Sequence, residues 1–365
     1  MFAYSRIRSA GWLGCLTAGL AYVGVCHAAG AVVPPLERPA TMLVGERARQ
    51  VAFQSLAVAD RQVFAVGERG IALYSDDAGK MWRQGQVPVS VTLTAVSMLT
   101  PQVGWAVGHG GVVLRTEDGG RNWSRQLDGF AAIRLLQEAA ADEVDVELRE
   151  RRTALAQRLA EEGADKPLFA VHALDRQTVV VVGAFNTAFV SRDGGRQWSS
   201  LADQLPNPRE GHWYAVAGGG QRFYIAGEFG LLLGSQDAGR SFERVTLPYE
   251  GSLFALAEDG RRLVVGGLRG NAFVSEDGGR NWRPVTGLGE ASITAIRTEP
   301  DGSFLIGDQA GALWRLAAEG TRAERLPAPV LPPVTDLART PDGAVVVSSV
   351  AGVIRLGDTT GERTK

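Results

Sequence analysis

A chain of 365 residues with 38 basic and 40 acidic side chains has a formal charge of −2, and no global field that would attract nucleic acid or an anionic membrane surface. Its 2 cysteines, Cys15 and Cys26, fall in the first 30 residues, so a chain cut behind them has no disulfide or thiol chemistry. Among the 38 basic residues only Lys80, Lys166 and Lys365 are lysine; arginine can grip carboxylates bidentately, but a biased genome composition is the simpler reading of the excess.

Residues 1–28 read as an export signal. Arg6 and Arg8 form a basic start, residues 10–25 are mostly apolar, and Cys26-His27-Ala28 places small residues three and one positions before a cut. The apolar run is too short and glycine-rich to span a membrane. Cleavage removes both arginines and leaves a charge of −4, predicting an exported, periplasmic protein. Residues 29–52 are proline-rich at first (Pro34, Pro35, Pro39) and then strand-like in Thr41-Met42-Leu43-Val44.

From Phe53 to the C-terminus one unit recurs. Its ruler is a glycine-rich turn: GERG from Gly67, GHGG from Gly108, GAFN from Gly183, GEFG from Gly227, GLRG from Gly267, GDQAG from Gly307 and SSVAG from Ser348. The intervals are 41, 75, 44, 40, 40 and 41 residues, and the 75 equals one repeat plus an insertion. A short alternating strand precedes each turn, from FQSLAV at Phe53 to VTDLAR at Val334. The period and strand content predict an all-β, seven-bladed β-propeller over residues 53–365. Little chain follows Gly357, so the segment from Arg38 to Gln50 is expected to supply the outermost strand of blade seven and close the ring.

Five repeats carry an octad after the third strand, Ser/Thr-x-Asp-x-Gly-x-x-Trp/Phe. Asp77, Asp118, Asp193, Asp237 and Asp277 are placed to accept backbone N–H groups across a tight turn. Gly79, Gly120, Gly195, Gly239 and Gly279 supply positive φ, and Trp82, Trp123, Trp198, Phe242 and Trp282 wedge their rings between strands. Blades six and seven lack the octad.

Residues 130–166 break this grammar. They are rich in Ala, Leu, Glu and Arg, and Ile133, Leu136, Ala140, Val144, Leu148, Leu155 and Leu159 approximate a helical stripe ending at Gly163. One long helix, or a hairpin broken near Asp142–Asp145, fits the pattern. This helical insertion joins blade two to blade three, on the face of the glycine-rich turns; the octad turns lie on the opposite face. Function is therefore expected on the insertion-bearing face. Its candidate partner-binding residues are Glu68, Arg69, His109, Phe185, Asn186, Glu228, Phe229, Arg269, Asp308 and Gln309. Arg209, Glu210, His212 and Trp213 join them from the approach to blade four.

The octads resemble the Asp-box of sialidase-type (BNR repeat) propellers. The fuller unit, an innermost strand, a VGxxG turn and SxDGGxxW, resembles the photosystem II assembly and stability factor family, over residues 53–357 apart from the insertion. That resemblance implies a non-catalytic chaperone of a membrane protein or membrane complex, lumenal in a photosynthetic source. Relatives outside photosynthesis are exported accessory proteins, some of them associated with membrane exporters. It implies no cofactor and no small-molecule substrate.

The alternative is a glycan-active or glycan-binding propeller. Two converging carboxylates, Glu68 with Glu228 or Asp308, would serve hydrolysis, and Tyr214 near Glu228 would mimic a sialidase nucleophile pair. Of the three arginines such a site needs, only Arg69 and Arg269 are candidates, and the Phe/Tyr-Arg-Ile-Pro motif is missing. No metal site is expected, since His109, His172 and His212 sit on separate blades without short spacing.

Overall fold

The computed structural model describes residues 33–358; the expected export signal lies outside the described residues. Seven antiparallel sheets follow one another along the chain, six of four strands and the last of three. The innermost strands are Phe53–Ala59, Leu93–Met98, Leu168–Ala173, Trp213–Gly219, Leu253–Glu258, Ile293–Thr298 and Val334–Arg339. Each packs on the next, and the last packs on the first, so the ring is closed. The second strand of each blade is buried on both faces, which explains unbroken apolar runs such as Val179–Val182. These strands fill the spaces between blades, and no exposed edge joins first to last.

Every innermost strand carries the same irregularity. Its pairing register slips by one residue after its first position, in all seven blades. The first residue stays buried between blades, as Phe53, Leu93 and Trp213 are at 0% exposure. The second is left without a cross-strand partner and lines the mouth of the central channel. A bulge re-aims a side chain in this way while the rest of the ladder continues.

The turn that follows is equally constrained. A Cβ on Gly67, Gly108, Gly183, Gly227 or Gly267 would stand 1.9–2.3 Å from the carbonyl oxygen just before the innermost strand. Glycine is required there by close approach rather than by φ. The Asp-box corners form as the octads predict. In blade five Ser275 Oγ accepts from Gly279 N (2.8 Å) and donates to Asp277 Oδ1 (2.8 Å), which also accepts from Arg280 N and Asn281 N. Trp282 Nε1 donates back to Gly279 O at 3.0 Å.

The insertion is a hairpin of α1 (Gly129–Ala141) and α2 (Val146–Glu162). Asp128 caps α1 by accepting from Ala131 N, and Asp145 caps α2 by accepting from Leu148 N. That second cap sets the break inside the Asp142–Asp145 stretch. Ile133, Leu136, Ala156 and Leu159 pack between the helices, while Ala132 and Leu127 join the core of blades two and three. Val144, counted in the stripe, is 89% exposed at the tip.

The expected role of residues 38–50 in blade seven is corrected. That blade has three strands among the described residues, and the segment pairs with no strand of it. Pro39 lacks an N–H, and blade one takes the neighbouring groups. Ala40 N donates to Val87 O, Leu43 N to Gln84 Oε1, and Gln84 Nε2 to Thr41 O. The 3-10 turn Gly45–Arg49 then brings Ala48 into the core shared by Phe53, Val346 and Val353. Side chains also close the ring. Asp336 of blade seven accepts from Ser55 Oγ (3.0 Å) and Leu56 N (2.9 Å) of blade one, and Thr335 Oγ1 donates to Phe53 O (2.8 Å).

Candidate partner-binding face

The helical hairpin and the glycine-rich turns share one face. Residues His109–Gly111 touch α1, and Gly110 N donates to Asp165 O at 3.4 Å. Four of these turns set a large side chain in the left-handed region: Arg69 at φ 55°, Phe185 at 53°, Phe229 at 57° and Arg269 at 55°. Blade two has Gly110 at the equivalent place, φ 69°. Bulky residues occupy that region rarely and at a cost, so four on one face require a reason. Phe185 and Phe229 are 45% and 38% exposed.

The bulge residues divide the channel mouth into two sectors. In blades three, four and five they are Phe169, Tyr214 and Phe254, in an aromatic arc with centroids 5.4 and 5.2 Å apart. His212 extends the arc outward, 6.0 Å from Tyr214 and 4.6 Å edge-on from Phe185. In the remaining blades the same position holds Gln54, Thr94, Thr294 and Thr335. The threonine hydroxyls donate to backbone carbonyls of the following blade, Leu168 O, Val334 O and Phe53 O. Those hydroxyls stitch the ring; the aromatics face the opening.

Cations border the arc. Arg209 lies over Phe229 at 4.1 Å and Lys166 over Phe185 at 5.8 Å. Glu228 is spoken for: Oε2 accepts from His212 N (2.8 Å) and Oε1 from Tyr214 OH (3.3 Å). His212 Nδ1 accepts from Phe185 N at 3.1 Å, which steadies the left-handed turn. Burial, with the Glu228 charge beside it, pushes the Tyr214 hydroxyl up to about 12, the wrong direction for a nucleophile. Beside the arc, a cleft of about 800 Å³ separates α2 from the connection between blades three and four. Arg152–Asp203 (2.8 Å) and Arg158–Glu210 (2.5 Å) span it.

Several sequence candidates are not available to a partner. Trp213 is fully buried, because the first strand position points between blades; its Nε1 donates to Asn186 Oδ1. Asn186 also accepts from Asn207 and donates to Ala202 O, so its amide braces the turn. Asp308 is 1% exposed and accepts from Ala310 N, Ala312 N and Trp314 Nε1. It therefore joins no catalytic pair with Glu68, which accepts from Ala52 N. His109, Gln309, Arg69 and Arg269 are exposed on the face. Phe169 and Phe254 were missed as candidates, although aromatic second residues in three consecutive strands are visible once the repeats are aligned. His172 is inside the channel with Nε2 donating to Gly218 O (2.8 Å), and burial holds its pKa below the ordinary range. Among the described residues no three metal-ligating side chains gather.

The fold is a closed seven-bladed Asp-box propeller, with aromatic and arginine-bearing turns on one face. Residues 160–352, more than half of the chain, match the family described as photosynthesis system II assembly factor YCF48. The chain belongs to that family. Solved structures share the fold at low identity. A YCF48 with bound D1 peptide superposes with TM-score 0.59 at 15% identity, over 87% of this chain and 95% of its own. YCF48 from Cyanidioschyzon merolae gives 0.60 at 14%, over 87% and 98%. The GH74 xyloglucanase from Xanthomonas campestris gives 0.60 at 14%, over 87% and 53%. No curated protein sequence matches the chain.

Proposed function

We propose that the protein is an exported, non-catalytic scaffold that holds a segment of an integral membrane protein on its hairpin-bearing face. In doing so it aids assembly or operation of a larger membrane complex. One observation carries the reading: the hairpin and the strained turns Arg69, Phe185, Phe229 and Arg269 share one face. Membership of an assembly-factor family supports it, as does a similar structure described as bound to a D1 peptide. The N-terminal sequence reads as an export signal, so the site of work in this reading is the periplasm, or the lumen of a photosynthetic source.

Gly129 and Ala164 lie against each other, so residues 131–163 can be replaced by a short glycine-serine linker without opening the ring. Capture of membrane proteins from solubilised envelopes by this variant is expected to fall to background. An unchanged partner set would overturn the role of the face. A glycan-active reading draws on one contact, Tyr214 with Glu228. Turnover of xyloglucan or a sialoside, abolished by Glu228→Ala, would favour it instead.

A further inference from the structure

We infer that the aromatic sector of blades three to five docks an extended partner segment through a bulky apolar side chain lying beside a carboxylate. This rests on the reading that the hairpin-bearing face is the partner face, and it goes further by naming the sector and the chemistry of what is bound. The bulge sets three blades apart from the rest. All seven blades turn their second strand residue toward the opening, yet only three consecutive blades put an aromatic ring there. Thr94, Thr294 and Thr335 spend their hydroxyls on the neighbouring blade, whereas Phe169 and Phe254 carry no polar group and Tyr214 bonds Glu228 of its own blade, so the rings of this sector touch one another and face the opening.

Backbone conformation singles out the same sector. Gly110 shows that the turn accepts glycine, yet Phe185 and Phe229 stand in the same left-handed conformation with their rings partly in solvent. His212 braces Phe185 through its main chain, and Arg209 covers one side of Phe229. Rings held at fixed positions give contact area at little entropic cost, as anchor pockets do.

Charge narrows what the sector can bind. Arg209 and Arg269 flank the sector and join no ion pair among the described residues, whereas Glu228 is occupied by a backbone N–H and a tyrosine hydroxyl. Glu250, exposed on the connection into blade five, backs onto Gly230, so the sector is of mixed sign. What selects a carboxylate is therefore the pair of open guanidinium groups rather than net charge.

The test is selection of a random peptide display library on the mature chain. Enriched peptides are expected to carry an aromatic or branched apolar residue beside Asp or Glu. A synthetic copy should bind the Phe185→Gly/Phe229→Gly variant about tenfold more weakly, and Arg209→Gln about fivefold more weakly. Thermal unfolding at or above the parent midpoint shows that the glycine variant is folded. No enrichment, a consensus without acids, or equal affinity for the glycine variant overturns the inference. Membrane-protein capture lost with the hairpin but kept by the glycine variant would sink this sector while leaving the partner face standing.

Discussion

The two faces of the ring are built from turns that repeat equally well, and they tolerate change very differently. At the Asp-box corners the Ser/Thr hydroxyl to Gly N distance is 2.9, 2.9, 2.7, 2.8 and 2.8 Å in five blades. The glycine there is never replaced in those five, because a Cβ would meet packed neighbours such as Phe64, Trp105, Phe223 or Val245. On the hairpin-bearing face the backbone is as regular, yet its left-handed position holds Arg, Gly, Phe, Phe and Arg in blades one to five. One face repeats because the fold needs its hydrogen bonds. The other keeps its backbone and varies what that backbone presents.

Substitution at a corner glycine should break the comparison most forcefully. A Cβ on Gly279, φ 91°, would stand 2.5 Å from Val245 Cγ1. Gly279→Ala is expected to cost about 2–3 kcal/mol through strain and overpacking, measured by denaturant unfolding. Capture of the partner at low temperature should be unchanged, since the corner lies on the far face. Next comes Asp118, which accepts from Asn122 N (2.9 Å), Asn122 Nδ2 (2.7 Å) and Thr116 Oγ1 (3.0 Å). Asp118→Ala leaves these donors without their acceptor and is expected to cost about 2 kcal/mol, again with capture intact.

Acid should weaken the corner face selectively and more gently. Backbone N–H donation from Asn281 and Gln197 holds Asp277 at about 2 and holds Asp193 below its ordinary range. Protonation is harder in the folded chain than in the unfolded one. The stabilisation is therefore whole above the ordinary Asp pKa of about 3.9 and is lost as pH falls from there toward about 2. Unfolding midpoints taken between about pH 5 and about pH 2 should decline in the parent and decline less in Asp193→Asn. Equal slopes would show that these carboxylates do not set the acid limit.

Much of this was legible in the sequence because both turns depend on local chemistry. Octad spacing specified the corners, and glycine spacing gave the blade count and the place of the insertion. What stayed hidden depends on contacts distant in the chain. The bulge after Phe53, Leu93 and their counterparts is a property of strand pairing, so nothing in WYAVAG alone tells that Trp213 is buried while Tyr214 faces the channel. Asp308 looked like the exposed acid of its turn, yet Trp314 Nε1, six residues away, draws it inward. Ring closure was misread for the same reason, since Asp336 reaches Leu56 across 280 positions. Blade six shows how a missing corner is made good. Buried Arg262 of blade five donates to Ala317 O and Gly302 O, a link with no motif to announce it.

The sharpest test of the comparison has a small effect of opposite sign. Phe229 holds φ 57°, which glycine adopts freely, and its ring is more than a third exposed. Phe229→Gly relieves left-handed strain of about 1–3 kcal/mol, while the added freedom of the unfolded chain returns about 0.5–1 kcal/mol and the Arg209 contact is lost. The expected net is a protein more stable by about 0.5–1 kcal/mol that binds its partner less well. A corner residue behaves the other way, since removing it costs stability and spares binding. A destabilised Phe229→Gly with full capture would mean that the ring serves the fold, and the division between the two faces would fail at the residue where it is most exposed to test.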